Sequence, residues 1–193
     1  MTRELTHEQS DLLKKAASLA GLSISSVQSD SNMAAFHYGS LQELGKNKTF
    51  LILDFGHSKT SLTFAKYEST GSQRIIYIES SQNIPFSGKV VDENLAELLL
   101  ENTDAKVKFT ELNPIQRVHL LKNAQKLKEI LTSNDEIEFF SDELPDLDNI
   151  SGQFTRSSLE TKMKSVLIDL KNSINEFIAK NNITIVYKFA CNM

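Results

Sequence analysis

From Phe50 to Tyr67 the chain reads Phe-Leu-Ile-Leu-Asp-Phe-Gly-His-Ser-Lys-Thr-Ser-Leu-Thr-Phe-Ala-Lys-Tyr, and no other stretch restricts the fold as much. The apolar run Phe50, Leu51, Ile52 and Leu53 is what a strand shows when both its faces are covered. Asp54 is expected to end that strand. Gly56, His57, Ser58 and Lys59 supply turn chemistry, and Ser61 to Tyr67 alternates with Leu62 and Phe64 on one face. The expectation is a hairpin with a carboxylate at its tip. A glycine there lets backbone N–H groups approach an anion, and a strand-end aspartate can hold a magnesium-bound water. Asp and Gly also populate ordinary turns for conformational reasons, which is the commoner use of that pair. The triplet Asp54-Phe55-Gly56 spells a protein-kinase signature, but the His-Arg-Asp loop and the Gly-rich loop that must accompany it are absent.

Upstream, Thr6 and Gln9 have capping-box spacing before a helix from Thr6 to Ala20, with Leu12, Leu13, Ala16, Ala17 and Leu19 on its apolar face and Gly21 as its stop. Leu22 to Val27 reads as a short strand. Met33 to Leu44 reads as a second helix closed by Gly45 and Asn47, with Asp30 placed to cap it. Downstream of the hairpin, Ser69 to Ser72 is a turn and Gln73 to Glu79 a third antiparallel strand. Ile84 to Lys89 is then a loop, and Asp92 caps a helix carrying Leu95, Leu98 and Leu99. Asn113-Pro114 opens a helix of about five turns with Val118, Leu121, Ala124, Leu127 and Leu131 inside and Lys122, Lys126, Lys128 and Glu129 outside. Glu136 to Phe140 and Ile150 to Phe154 read as strands around a solvated acidic loop, Ser141 to Asp148, which lacks the ordered oxygens and sharp glycine turn of a calcium site. Thr155 caps a long helix through Leu159, Met163, Val166, Leu167, Leu170, Ile174, Phe177 and Ile178, and Ile183 to Phe189 is a last apolar strand. These elements make an α/β chain, an antiparallel and mixed sheet with helices packed on it and a smaller helical and β insertion from about Gly71 to Gly152.

Composition excludes several function classes. The 193 residues are 40% hydrophobic, enough for one or two compact units with a core, yet no run approaches the ~20 apolar residues of a membrane span. Met1-Thr2-Arg3-Glu4 lacks the apolar core of a signal peptide. A net charge of -4 with both signs interspersed argues against a nucleic-acid surface. The single cysteine, Cys191, rules out an internal disulfide and suits a reducing compartment. His7, His37, His57 and His119 show no metal-ligand spacing, and no nucleophile-elbow sequence supports a catalytic triad.

Asp54-Phe55-Gly56-His57-Ser58 resembles the second phosphate loop, Asp-Leu-Gly-Gly-Gly-Thr, of the actin-like ATPase lobe in the heat shock protein 70 superfamily. Its Gly-His-Ser version is similar to the heat shock protein 110 class. The order helix, Ala20-Gly21-Leu22, strand, and Ala34-Ala35 helix ending in Tyr38-Gly39 is similar to the crossing segment of that ATPase domain. Ser29-Asp30 stands where the family has an Asn-Glu or Asn-Asp pair whose acid lies near the metal. Phe86, Gly88 and Asp92 match a family loop from which Ser87, Val90 and Val91 depart. Gln125 to Thr132 resembles the adenine-contacting helix: Lys128 and Thr132 match its Lys and Ser, Gln125 replaces its Glu, and Glu129 replaces an Arg that stacks on the base. Thr155-Arg156-Ser157-Ser158-Leu159-Glu160 matches a family helix start, whereas Phe189-Ala190-Cys191 replaces a glycine-rich loop touching the adenosine.

The resemblance implies an actin-like ATPase (ribonuclease H-like) lobe with a smaller α+β insertion, covering about half of an ATPase domain and apparently truncated at both ends. Residues 1–45 would be a crossing helix-strand-helix segment of the missing first lobe, 46–70 and 153–193 the core sheet and helices, and 71–152 the third strand and inserted subdomain. It implies ATP and magnesium as cofactors, with Asp54, Gly56, Lys128 and Thr132 on the nucleotide and Asp54 and Asp30 reaching the metal through water. With the opposing lobe missing, the isolated chain is expected to bind ATP weakly or not at all and not to act as an enzyme. The implied function is that of a heat shock protein 110-like chaperone piece, a cytoplasmic nucleotide exchange factor or co-chaperone of a heat shock protein 70 partner in protein folding. An ATP-binding chaperone lobe, a non-enzymatic interaction module and a gene fragment without a retained role are the alternatives. Residues 1–45, having lost their sheet, are expected to be loosely ordered or covered by a partner or a second copy.

Overall fold

The computed structural model describes residues 6–41, 48–70, 73–101, 107–141 and 150–184. The chain divides into two compact units, Met1–Pro85 with Phe177–Asn182, and Phe86–Glu176 with Ile183–Met193.

The first unit begins with helix α1, His7–Leu19. Its start follows the sequence rule: the Thr6 hydroxyl accepts from Gln9 N at 3.2 Å, and the Gln9 side chain accepts from Thr6 N at 3.0 Å. Its end does too, because Gly21 takes φ +78° while Gly21 N donates to Ser18 O and Leu22 N to Ala17 O, the Schellman pattern. The strand expected over Leu22 to Val27 does not form: these residues are irregular, since the apolar pattern of a strand needs a neighbouring strand to pair with. Helix α2 spans Asp30–Leu41, three residues earlier than expected. Ser29, not Asp30, caps it, its hydroxyl accepting from Asn32 N at 3.2 Å. The expected stop at Gly45 and Asn47 lies outside the described residues.

Strands β1 (Lys48–Phe55), β2 (Thr60–Thr70) and β3 (Gln73–Ile84) form an antiparallel sheet in the order β1-β2-β3. Asp54 does not end β1; it is still paired, with Ser61, and Phe55 pairs with Thr60. Nor is β1 covered on both faces. Among the described residues it pairs only with β2, and Leu53 and Phe55 are 37% and 40% exposed. The better covered strand is β2, where Leu62 and Ala65 are buried and a bulge falls between Phe64 and Ala65. Ser69 and Thr70, expected in the turn, stay within β2, paired with Arg74 and Gln73. β3 also runs on past Glu79, its expected end, to Ile84, the first residue of the expected loop. Helix α2 packs on the sheet, with Ala35 buried and the Tyr38 ring 5.2 Å from that of Phe50.

The second unit is built on helices α3 (Gly88–Glu101) and α4 (Pro114–Ser133), joined through a short 3-10 turn at Phe109–Glu111. Ser87 caps α3 through Val90 N, which displaces Asp92 from the expected cap into the helix interior. Asn113 caps α4 as expected, in a reciprocal pair with Gln116 and with proline at the helix start. The face α4 buries carries Ala124, Leu127 and Leu131 as expected, with Leu120 and Asn123 buried beside them, while Val118, also expected inside, is 52% exposed. Asn123 can be inside because its amide donates to His119 O at 3.2 Å.

Strands β4 (Glu136–Ser141) and β5 (Ile150–Thr155) pair as an antiparallel hairpin, and Phe139 and Phe154 join the α3–α4 core edge to face at 6.1 Å. Most of the acidic loop from Ser141 to Asp148 lies outside the described residues. Thr155 caps helix α5 (Arg156–Lys162) by accepting from Ser158 N at 3.0 Å. The single long helix expected there is broken at Met163, after which α6 runs over Lys164–Lys180. Ile183 and Thr184 are not in a strand, and the rest of the strand expected through Phe189 lies outside the described residues. No helix among the described residues is long and apolar enough to cross a membrane.

Candidate functional site

The structure places the sequence-derived site residues in two groups, one in each unit. Asp30, Asp54 and Gly56 belong to the first, Lys128 and Thr132 to the second.

In the first unit, the start of α2 and the tip of the β1–β2 hairpin meet. Lys59 in the turn reaches the Asp30 carboxylate at 4.0 Å, and the buried Ser31 hydroxyl donates to the Ser61 hydroxyl at 3.3 Å. Asp54 lies opposite Ser61 in the ladder, half-buried. The glycine of the tip has a structural reason of its own. Gly56 N donates to Lys59 O at 2.9 Å, and a Cβ built on Gly56 would stand 2.9 Å from that same oxygen. The N–H that a phosphate cradle would need is therefore spent on closing the turn. The Thr60 hydroxyl, which no pattern in the sequence singles out, is fully buried without a hydrogen-bond partner among the described residues; it is enclosed and offers a ligand no open cradle.

In the second unit, the expected adenine helix is occupied by the protein itself. The buried Asp92 carboxylate accepts from Lys128 Nζ at 2.5 Å and from Gln125 Nε2 at 3.3 Å. Lys128 is therefore not the solvated outward residue its helix position implied. The Thr132 hydroxyl donates to the Lys128 carbonyl at 3.0 Å, an ordinary helix back-bond. Glu129, at the position of the family's stacking arginine, is exposed. Sequence reasoning missed the network because it read Asp92 as a cap and Lys128 as a surface cation. An acidic residue with apolar neighbours at helical spacing (Leu95, Ala96, Leu99) was the available signal.

A separate open cavity of about 480 Å³ is lined by Asp135, Glu136, Thr155, Arg156, Ser157 and Glu160. Its cation is committed: Arg156 donates to Leu131 O and Thr132 O at the end of α4 and pairs with Asp135 at 3.1 Å. No group of three or more histidine, cysteine or acidic side chains able to hold a metal occurs among the described residues. Gly56 N–H and Lys128 Nζ, which the resemblance places on a nucleotide, each serve an internal bond within their own unit.

Comparison with known proteins gives the family. The model of the Hsp70 protein family matches residues 5–186. The chain is similar to a heat shock protein homolog of Lachancea kluyveri, 27% identical over 93% of this chain and 26% of that protein. It is similar to heat shock protein 88 of Dictyostelium discoideum, 28% identical over 75% of this chain and 19% of that protein. It is also similar to the chaperone protein DnaK of Endomicrobium trichonymphae, 21% identical over 92% of this chain and 29% of that protein. The chain spans about a quarter of the length of the curated relatives it matches.

Proposed function

The chain belongs to the Hsp70 protein family, and from that membership we propose that it acts in protein folding as a co-chaperone of the heat shock protein 110 type. In this reading it promotes nucleotide exchange on a heat shock protein 70 partner in the cytoplasm and does not turn over ATP itself. The observation that carries the reading is the extent of the match: the similarity to the Lachancea kluyveri heat shock protein homolog runs over 93% of the chain, through the residues of both units, and is not confined to the hairpin. The committed state of Gly56 N, Lys128 and Gln125 supports a docking role over an enzymatic one.

Residues 1–45 serve in this reading as the crossing segment, 46–70 and 153–193 as the lobe core, and 71–152 as the third strand and inserted subdomain. The exposure of Leu12, Leu13 and Leu19 on α1 supports that segment as contact surface for a partner. The test is release of a fluorescent ADP analogue from a purified heat shock protein 70 of the same cell. Severalfold faster release on addition of this chain is expected. Unchanged release, together with no complex in sedimentation velocity, would overturn the reading.

A further inference from the structure

We infer that the outer edge of β1 is a self-association surface: two copies of the chain join β1 to β1 in antiparallel register about Leu51, and their sheets run together as one. The inference does not rest on the exchange reading, and it concerns the sheet edge of the first unit, not the segment 1–45.

Strand β1 stands at the end of the order β1-β2-β3, and among the described residues only β2 pairs with it. A strand in that place turns a row of backbone N–H and C=O groups outward, and such edges are ordinarily blunted by a proline, a bulge or a charge in mid-strand. β1 has none of these: its register with β2 is unbroken from Lys48 to Phe55, and its centre is Phe50-Leu51-Ile52-Leu53. None of its eight residues is buried, and Leu53 is 37% exposed. Helix α2 lies across the three strands of its own sheet. In a joined sheet, β2 and the β2 of the second copy are three strand spacings apart, about 14 Å, which exceeds the roughly 8–10 Å between packed helices. One face of the joined sheet therefore has room for α2 of both copies.

Charge identifies the occupant as a second copy. A two-fold axis normal to the sheet keeps each face on its own side, so each residue of β1 pairs with one of the same parity. Centred on Leu51, the register sets Lys48 opposite Asp54 of the second copy, Thr49 opposite Leu53, Phe50 opposite Ile52, and Leu51 opposite itself. Each dimer then has an opposite-charge pair at either end of an apolar centre, and cross-strand pairs of both kinds stabilise a sheet. Sliding the centre to Phe50 would put Lys48 against Ile52, and sliding it to Ile52 would put Asp54 against Phe50. Lys48 is exposed and Asp54 half-buried, and neither forms an ion pair among the described residues. Both charges are thus available to the second copy.

The experiment is sedimentation velocity on the whole chain from about 1 to about 200 µM. The wild type should pass from monomer to dimer with a Kd on the order of 10–100 µM, the weak range that suits so small an interface. Lys48→Asp alone, or Asp54→Lys alone, makes both charge pairs of the dimer repulsive and should raise the Kd roughly tenfold or more. An equimolar mixture of these two variants should dimerise again, because every charge then meets its opposite across the axis. The double variant Lys48→Gln with Asp54→Asn removes the charges without repulsion; its Kd should lie between, which keeps the test readable if a reversed variant fails to fold. A wild-type chain that stays monomeric throughout overturns the inference, whether its edge is taken by a strand of its own or by another protein. Association that none of these variants weakens, or a mixture that does not recover, overturns it equally.

Discussion

At Gly56 a methyl group would stand 2.9 Å from the Lys59 carbonyl oxygen, a backbone atom that cannot move without opening the turn. Gly56→Ala should therefore destabilise the β1–β2 hairpin by about 1–3 kcal/mol, through strain and loss of the Gly56 N to Lys59 O bond. Urea melts comparing the two proteins check this, and an unchanged midpoint would mean that the turn relaxes freely. The glycine was legible in the sequence, but two causes for it, phosphate approach and turn closure, look identical there. Only the position of the Lys59 oxygen separates them. The caps at Thr6, Asn113 and Thr155 were fully legible, because each is a bond between residues three apart and depends on nothing distant. Asp92 was misread for the opposite reason: Ser87 held the cap, and two partners of Asp92 lie 33 and 36 residues along the chain.

Between elements, Lys162 at the end of α5 bridges Glu101 at 2.7 Å and Glu97 at 3.1 Å on α3. The hydrogen bond to Glu101 is the main cause that raises the lysine above its ordinary value of 10.5, against partial desolvation, with Glu97 adding to the rise. A raised folded-state value means that the pairing contributes fully below the unfolded lysine value and is lost as pH climbs through the higher folded one. Thermal melts taken from neutral pH to beyond 10.5 should thus show a steeper alkaline loss of Tm in the wild type than in Lys162→Met. Parallel curves would show that the bridge adds nothing. The periodicity that predicted α4 was sound as to the helix and as to Ala124, Leu127 and Leu131 on its buried face, and wrong as to Val118. Val118 and Leu121 recur at helical spacing as well as Leu120, Leu127 and Leu131 do, and the choice fell to what α3, Phe139 and Phe154 could cover. A uniform apolar stripe likewise hid the break of the C-terminal helix at Met163, whose cause no local residue reveals.

Across the molecule, burial is uneven. Helix α1 has 13 residues and no buried one, with Leu19 84% exposed, whereas β2 in the same unit holds Leu62 and Ala65 fully buried. An isolated helix of that length is marginal in water, and here capping and a Schellman end are what hold it. Hydrogen exchange should accordingly release the α1 amides orders of magnitude sooner than those of the β1–β2 ladder in a monomer. Equal protection of the two would contradict the reading of residues 1–45 as a segment made to be covered by something else. What the sequence by itself determined is local: the caps, the turn at the hairpin tip, the antiparallel succession of β1, β2 and β3, the helical periods, and the motif order that marks the Hsp70 family. These are interactions within a few residues, or patterns that survive wherever the element is put. The tertiary structure alone decided that Leu22 to Val27 lacks a strand partner, that β1 is half-covered, and that α4 buries Leu120 and exposes Val118. It alone decided that Lys128 answers a carboxylate inside the protein. A buried charge selects its partner by distance in space, and distance in space is what a linear sequence does not contain.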